Sequence, residues 1–184
     1  MKYLGVLFLS FLSFLSLAQE SNSFNSLSKG KQQVGAGISD MTSDGAYGLQ
    51  LHLRYGYFLI DKLEVGLDGN GGARDYNIAY ASVGPYVKYH LLEKWFSPFV
   101  TADSDFGYCK FDDDRIKYKQ NGSLTWQKYF FGAGIGMYGL NDHWGFEASM
   151  GYQQELYKRS DDGTPTINIT QWTVPIRWRV SYSF

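Results

Sequence analysis

The chain has 184 residues, with 17 Lys and Arg against 18 Asp and Glu and a formal net charge of −1. That balance excludes an electrostatic binder of nucleic acid, and the single cysteine, Cys109, excludes an internal disulfide and a cysteine-based zinc cluster. Aromatic residues reach 18% and glycines number 21 against 4 prolines, an odd mixture for a soluble domain.

The N-terminus sets the compartment. A short basic start, with Lys2, leads into an uncharged apolar run from Leu4 to Leu17, and Ser16 and Ala18 offer a small-residue cleavage site before Gln19. This is the pattern of a secretory signal peptide over residues 1–18. The run is shorter than the roughly 20 apolar residues of a spanning helix, and no cysteine stands near the cleavage site for lipid attachment. Residues 19–30 read as a flexible periplasmic segment, and 31–184 as one domain.

From Gln33 onward the dominant period is two, the period of strands. Val34, Ala36 and Ile38 alternate with Gln33, Gly35, Gly37 and Ser39. Leu49, Leu51, Leu53, Tyr55 and Tyr57 alternate with Gln50, His52, Arg54 and Gly56. Leu63, Val65 and Leu67 oppose Glu64, Gly66 and Asp68; Val83, Pro85, Val87 and Tyr89 oppose Ser82, Gly84, Tyr86, Lys88 and His90. A fifth segment sets Phe96, Pro98, Val100, Ala102, Phe106 and Tyr108 against Thr101, Asp103 and Asp105. In the sixth, Tyr129, Phe131, Ala133, Ile135 and Met137 oppose Lys128, Gly132, Gly134 and Gly136; in the seventh, Trp144, Phe146, Ala148, Met150 and Tyr152 oppose Gly145, Glu147, Ser149 and Gly151. The eighth, Trp172 to Phe184, puts large apolar groups at even positions and Arg177 and Arg179 at odd ones.

Connections alternate in length. They are short around Ile60 to Lys62, Leu92 to Trp95 and Leu140 to His143, and longer and polar at MTSDGA, GGARDYN, FDDDRIKYKQNGS and KRSDDGTPT. Eight strands with short turns at one end and longer loops at the other predict an all-β, eight-stranded antiparallel up-and-down transmembrane β-barrel. One face of the strands carries nearly all the charge and the other almost none. A soluble barrel needs an apolar interior, whereas a membrane barrel takes a greasy shell around a polar lumen. Aromatics lie near both ends of the apolar face, as interfacial girdles do.

Trp178, Val180, Tyr182 and Phe184 form an outward row that ends on a bare phenylalanine. This resembles the assembly signal of outer-membrane barrels, and the whole mature chain resembles an OmpA/OmpX-type eight-stranded barrel. The resemblance implies a Gram-negative outer membrane, contact with its lipid and lipopolysaccharide, and recognition by the barrel-insertion machinery. With nothing after Phe184, it also implies no peptidoglycan-binding domain of the full-length OmpA kind.

Other motifs carry less chemistry. GIGMYG, with Gly134, Gly136 and Gly139, matches the dinucleotide fingerprint but lacks a following helix and a βαβ unit, so the glycines read as inward space. Asp112, Asp113 and Asp114 lack the EF-hand spacing and are followed by Arg115, Lys117 and Tyr118; together these read as a solvated loop and a candidate contact surface for an extracellular ligand of unknown chemistry. Asn121 and Asn168 open accidental glycosylation patterns. His52 and His90 read as lumen residues and His143 as a turn residue, with no Ser-His-acid constellation legible. Cys109 reads as a small structural residue. No cofactor or metal is expected.

Hairpin arithmetic predicts lumen pairs: Arg54 opposite Asp68, Lys128 opposite Glu155, and Glu147 facing Arg177, with Arg179 beside it. A charge-plugged, monomeric barrel with a structural or recognition role through its loops is the expected function. A lipid-modifying enzyme of the lipid A deacylase kind, or a narrow pore, is the alternative.

Overall fold

The computed structural model describes residues 25–43, 46–74, 78–113, 120–140, 143–161 and 167–184. The signal peptide expected over residues 1–18 lies outside the described residues, as do Asp114, Arg115, Lys117 and Tyr118. The strands are β1 Gln32–Ser43, β2 Ala46–Ile60, β3 Leu63–Arg74, β4 Ile78–His90, β5 Phe96–Asp113, β6 Gln120–Leu140, β7 Trp144–Asp161, β8 Ile167–Thr173 and β9 Ile176–Ser183.

Strands β8 and β9 are two pieces of one barrel strand. Both pair with β7 in one continuous register, with Gln153 opposite Thr173 and Met150 opposite Ile176. Pro175 has no N–H to give to the ladder, which breaks the strand there. The facing survives the break: Val174 and Ile176 are exposed, and Pro175 and Arg177 are buried. Each strand pairs antiparallel with the next, and β1 pairs with β9 to close the sheet. The fold is the closed eight-stranded antiparallel barrel.

Side-chain polarity explains why the sheet closes. Leu53 is 69% and Phe131 67% exposed, whereas Glu64 and Lys88 are 0% exposed. Such a wall is inside out with respect to water. In hydrocarbon every backbone N–H and C=O needs a partner within the protein, and only closure removes the sheet edges.

The strands run further into the expected loops than their polar composition suggests. MTSDGA is largely β1 and the start of β2, and β3 continues to Arg74. The expected loop Phe111 to Ser123 narrows, because β5 continues to Asp113 and β6 begins at Gln120. Asp112 and Asp113 therefore lie in a strand, opposite Asn121 and Gln120. The ladder satisfies backbone groups whatever the side chains are, so polar residues beyond the membrane remain in strands and read as loop.

At the other end the turns are tight. Asp61 and Lys62 join β2 to β3, and Lys62 sits in the left-handed region at φ 71°. Its N–H donates to the Leu27 carbonyl at 2.9 Å, and its carbonyl accepts from the His90 N–H at 2.8 Å. Residues 25–30 are correspondingly packed rather than loose. Asn25–Leu27 form a 3-10 turn, and Leu27, fully buried, clusters with Phe58 and Tyr138 at the barrel floor. Gln32 and Phe184 exchange backbone hydrogen bonds of 3.0 and 2.9 Å, which fastens the first strand to the last residue.

Candidate functional site: the charged lumen

Alternation places every second side chain of each strand inside a barrel only just wide enough for side chains. Glu64, Asp68, Asp103, Asp105, Glu147 and Glu155 are buried there with Arg54, Lys88, Lys128, Arg177 and Arg179. Most of them form one chain of alternating sign. Lys88 Nζ lies 2.6 Å from Glu64 Oε2 and 2.7 Å from Glu147 Oε1. Glu147 Oε2 is 3.3 Å from Arg179, which reaches Asp68 at 3.4 Å. Asp68 takes two bonds from Arg54, 2.9 Å from Nε and 2.5 Å from Nη2. Arg54 lies 3.8 Å from Asp103, and Asp103 is 2.5 Å from Arg177 Nη1. The chain crosses the lumen four times, from β4 to β7 through Lys88, from β9 to β3 through Arg179, from β2 to β5 through Arg54 and from β5 back to β9 through Arg177. Burying one such charge alone is costly; pairing and hydrogen bonds offset it.

Neutral groups complete the packing. Tyr86 donates to Glu64, Tyr138 donates to Glu147 at 2.8 Å, and Lys88 donates to Gln33 at 3.1 Å. Arg54 stacks on Tyr86 at 3.8 Å and Arg177 on Phe130 at 3.5 Å, distances at which a cation gains from a ring face. These rings occupy space left by glycines. A Cβ on Gly134 would strike the Phe99 ring, and one on Gly136 the Tyr138 ring. Gly139, expected to face inward, is exposed instead, at the irregularity between Tyr138 and Leu140.

Two of the three expected pairs differ in their ionic contacts. Arg54 stands opposite Asp68 and binds it. Lys128 stands opposite Glu155, but its ammonium lies 2.6 Å from Asp105 on the other neighbouring strand, while Glu155 accepts from Gln153. Glu147 faces Arg179 rather than Arg177, a shift of two residues that keeps the facing. Arg177 stands opposite Ser149 and crosses to Asp103. Sequence gives neighbours along the sheet; it gives no measure of reach across the lumen. The inward aromatics were readable from parity, since Phe58, Tyr86, Phe99, Phe130 and Tyr138 fall on the polar phase of their strands.

The histidines are buried in the lumen or near a turn. His52 Nε2 is 2.7 Å from Ser39 Oγ, and its Nδ1 is 3.7 Å from Asp68 Oδ1. No sequence signal joins Ser39 to this set, because the three residues lie on β1, β2 and β3. His90 meets Ser97 at 3.3 Å and sits among Phe58, Phe99 and Tyr138. His143 Nδ1 is 2.7 Å from the Ser183 carbonyl. No group of three or more His, Cys, Asp or Glu among the described residues is placed to hold a metal ion.

On the outer surface Trp178, Val180 and Phe184 are exposed, and Tyr182 packs edge-on against Trp144 with centroids 5.1 Å apart.

No protein-family model matches the sequence, and no curated protein matches it significantly. Among solved structures, the N-terminal β-barrel domain of OprF from Pseudomonas aeruginosa superposes with a TM-score of 0.51 at 16% identity, covering 85% of this chain and 98% of that one. Neisserial surface protein A superposes with a TM-score of 0.56 at 13% identity, covering 84% and 96%. The closed register, the apolar outer wall, the charged lumen and these likenesses agree: the chain has the fold of the eight-stranded outer-membrane β-barrels.

Proposed function

We propose that the chain is a monomeric integral protein of a Gram-negative outer membrane, closed by its lumen charges and acting through the part of the sheet that rises beyond the membrane. The unequal strand lengths carry this reading. A spanning strand needs about 9–11 residues, and β1 to β4 have 12 to 15. Strands β5, β6 and β7 have 18, 21 and 18. The surplus of about ten residues on β6 extends roughly 30 Å along the strand. Pairing of β4 with β5 ends at Ala81 and Tyr108, while β5 continues with β6 to Asp113 and Gln120. The β5 edge above Tyr108 thus lacks β4 as a neighbour among the described residues, and such an edge can take an extended segment of another protein as an added strand. Asp112, Asp113, Asp114, Arg115, Lys117 and Tyr118 lie on or beside that edge in sequence. The barrel-insertion machinery is the partner for Trp178, Val180, Tyr182 and Phe184.

The test replaces residues 110–123 by a two-residue Asn-Gly turn. The shortened protein is expected to fold with normal heat-modifiability, and cells carrying it to lose adherence to immobilised proteins that the full chain confers. Equal adherence would remove the recognition role. Planar bilayers holding the purified full chain are expected to stay silent; large, long-lived openings would favour a pore.

A second reading has one observation behind it. Ser39, His52 and Asp68 follow the order of nucleophile, base and acid in acyl-transfer enzymes. Weighing against it, Asp68 is engaged by Arg54 and Arg179, and Ser39 is only 2% exposed. Labelling of Ser39 by a fluorophosphonate in the folded protein would favour the hydrolase; an unlabelled Ser39 favours the plug.

A further inference from the structure

The outer wall differs from one side of the barrel to the other. On β1 to β4 every described outward side chain past Gln32, which stands at the turn end of β1 and accepts from Tyr55, is aliphatic, proline or tyrosine, or is absent at glycine. On β5 to β8 the outward face also carries Ser104, Thr125, Gln127, Gln154 and Thr170, and Lys158 is the one outward-facing charge among the strand residues whose side chains are described. These groups are neighbours. Thr125 stands opposite Lys158, Gln127 opposite Leu156, and Leu156 opposite Thr170.

Toward the membrane from this polar strip the wall is hollow. Ala102 and Ser104 are small, and Val87, Phe131, Tyr152 and Trp172 stand around them, leaving a depression of ≈ 540 Å³. Pro85 lines it as well, where the β4–β5 ladder has no pair between Val83–Phe106 and Tyr86–Asp103. Proline gives no N–H to that ladder. Gln154, opposite Trp172, lies at the upper edge of the hollow. Lys158 is four residues further along β7, about 13 Å at the usual rise of a strand.

From the membrane outward the wall therefore offers an apolar hollow, then amides and hydroxyls, then one cation. We propose that this strip binds one molecule of a phosphorylated, acylated glycolipid. An acyl chain fills the hollow over Ala102, sugar hydroxyls meet Gln127 and Gln154, and a phosphate meets Lys158. The length of the polar strip selects this occupant over a glycerophospholipid, whose phosphate follows its acyl chains too closely to reach Lys158 while a chain fills the hollow. A second hollow of ≈ 430 Å³, lined by Trp95, Met137, Trp144 and Phe146, lies at the turn end of the wall, at the opposite end of β7 from Lys158.

The experiment is native mass spectrometry of the full, refolded chain released from detergent micelles, titrated with bisphosphorylated lipid A or with phosphatidylglycerol. One lipid A per chain is expected to bind saturably, and phosphatidylglycerol at least tenfold more weakly. Lys158→Gln is expected to weaken lipid A binding about fivefold or more. Ala102→Phe fills the hollow and is expected to abolish saturable binding, while Ala36→Phe, outward on β1, leaves it unchanged. Equal binding of the two lipids, unsaturable binding, or wild-type affinity in Ala102→Phe or Lys158→Gln would overturn the proposal. Lys158→Gln lies at an exposed position beyond the hollow, so it keeps the test decisive should Ala102→Phe fail to fold.

Discussion

Along β9, Ile176, Trp178 and Val180 stand on the outer face while Arg177, Arg179 and Ser181 stand in the lumen. Neighbours in sequence are on opposite sides of the wall. The outer face is held by its solvent and asks only that no charge enter it. The inner face is held by specific partners, because eight strands leave little room for water to solvate a charge. The outer face therefore tolerates any apolar residue of moderate size, whereas the inner face depends on which residue stands across the lumen. The two faces should differ in the same way under mutation.

The sharpest break comes from the inside. Lys88 is completely buried and sits between Glu64 and Glu147. Lys88→Met leaves two carboxylates facing each other without their shared cation and should cost about 3–5 kcal/mol, the range for breaking a buried ion pair. Urea titration of the barrel in lipid vesicles measures it. A loss below about 1 kcal/mol, the size of an exposed pair, would mean that the lumen is hydrated and not a plug.

From the outside, Ile176→Arg places a charge against lipid at a cost of about 2–4 kcal/mol. Thr173→Arg, on the inward phase of the same barrel strand, should cost less in the same titration. A larger loss for Thr173→Arg would invert the facing assigned to this strand.

A third comparison uses the separate pair at the upper lumen. Lys128→Met takes the ammonium from Asp105 and leaves its carboxylate the hydrogen bond from Asn70 at 2.6 Å. Adding Asp105→Asn removes the orphan charge, so the double variant should recover roughly 1–3 kcal/mol of what the single one loses, a coupling usual for residues in contact. Additive losses would place Lys128 in another partnership.

The facing was legible because it depends on parity alone, and a slip of one residue would put every charge into lipid. The pairing of Arg54 with Asp68 was legible for a related reason: a three-residue turn counted over Ile60 to Lys62 puts them opposite, and the shorter turn at Asp61 and Lys62 keeps that register because the ladder shifts by one residue between Phe58 and Ile60. The partner of Glu147 was less certain, because the connection after β7 is long and a slip of two residues keeps the facing. Arg177 with Asp103 and Lys88 with Glu147 were beyond reach, since these strands meet only through the lumen. The extensions of β5 to β7 were hidden by their composition. Asp112, Asp113 and Asn121 have loop chemistry, and only the ladder across the hairpin makes them strand.

The smallest expected effect is the response to salt, and it separates the plug from a water-filled channel. Screening shortens from about 10 Å at 0.1 M to about 3 Å at 1 M ionic strength, but only where ions can approach. Within the alternating chain, Lys88 and Glu64 are fully buried and Asp68 and Glu147 nearly so. Mobile ions therefore have no route between the partners. Raising NaCl across that range should change the stability difference between the wild type and Lys88→Met by well under the roughly 1 kcal/mol of an exposed pair. An exposed network would lose much of its advantage over the same range, and the difference would shrink toward zero. Titrating both proteins in uncharged vesicles keeps the bilayer itself from responding to the salt, so a shrinking difference would come from the lumen. That result would mean the charges line water rather than each other.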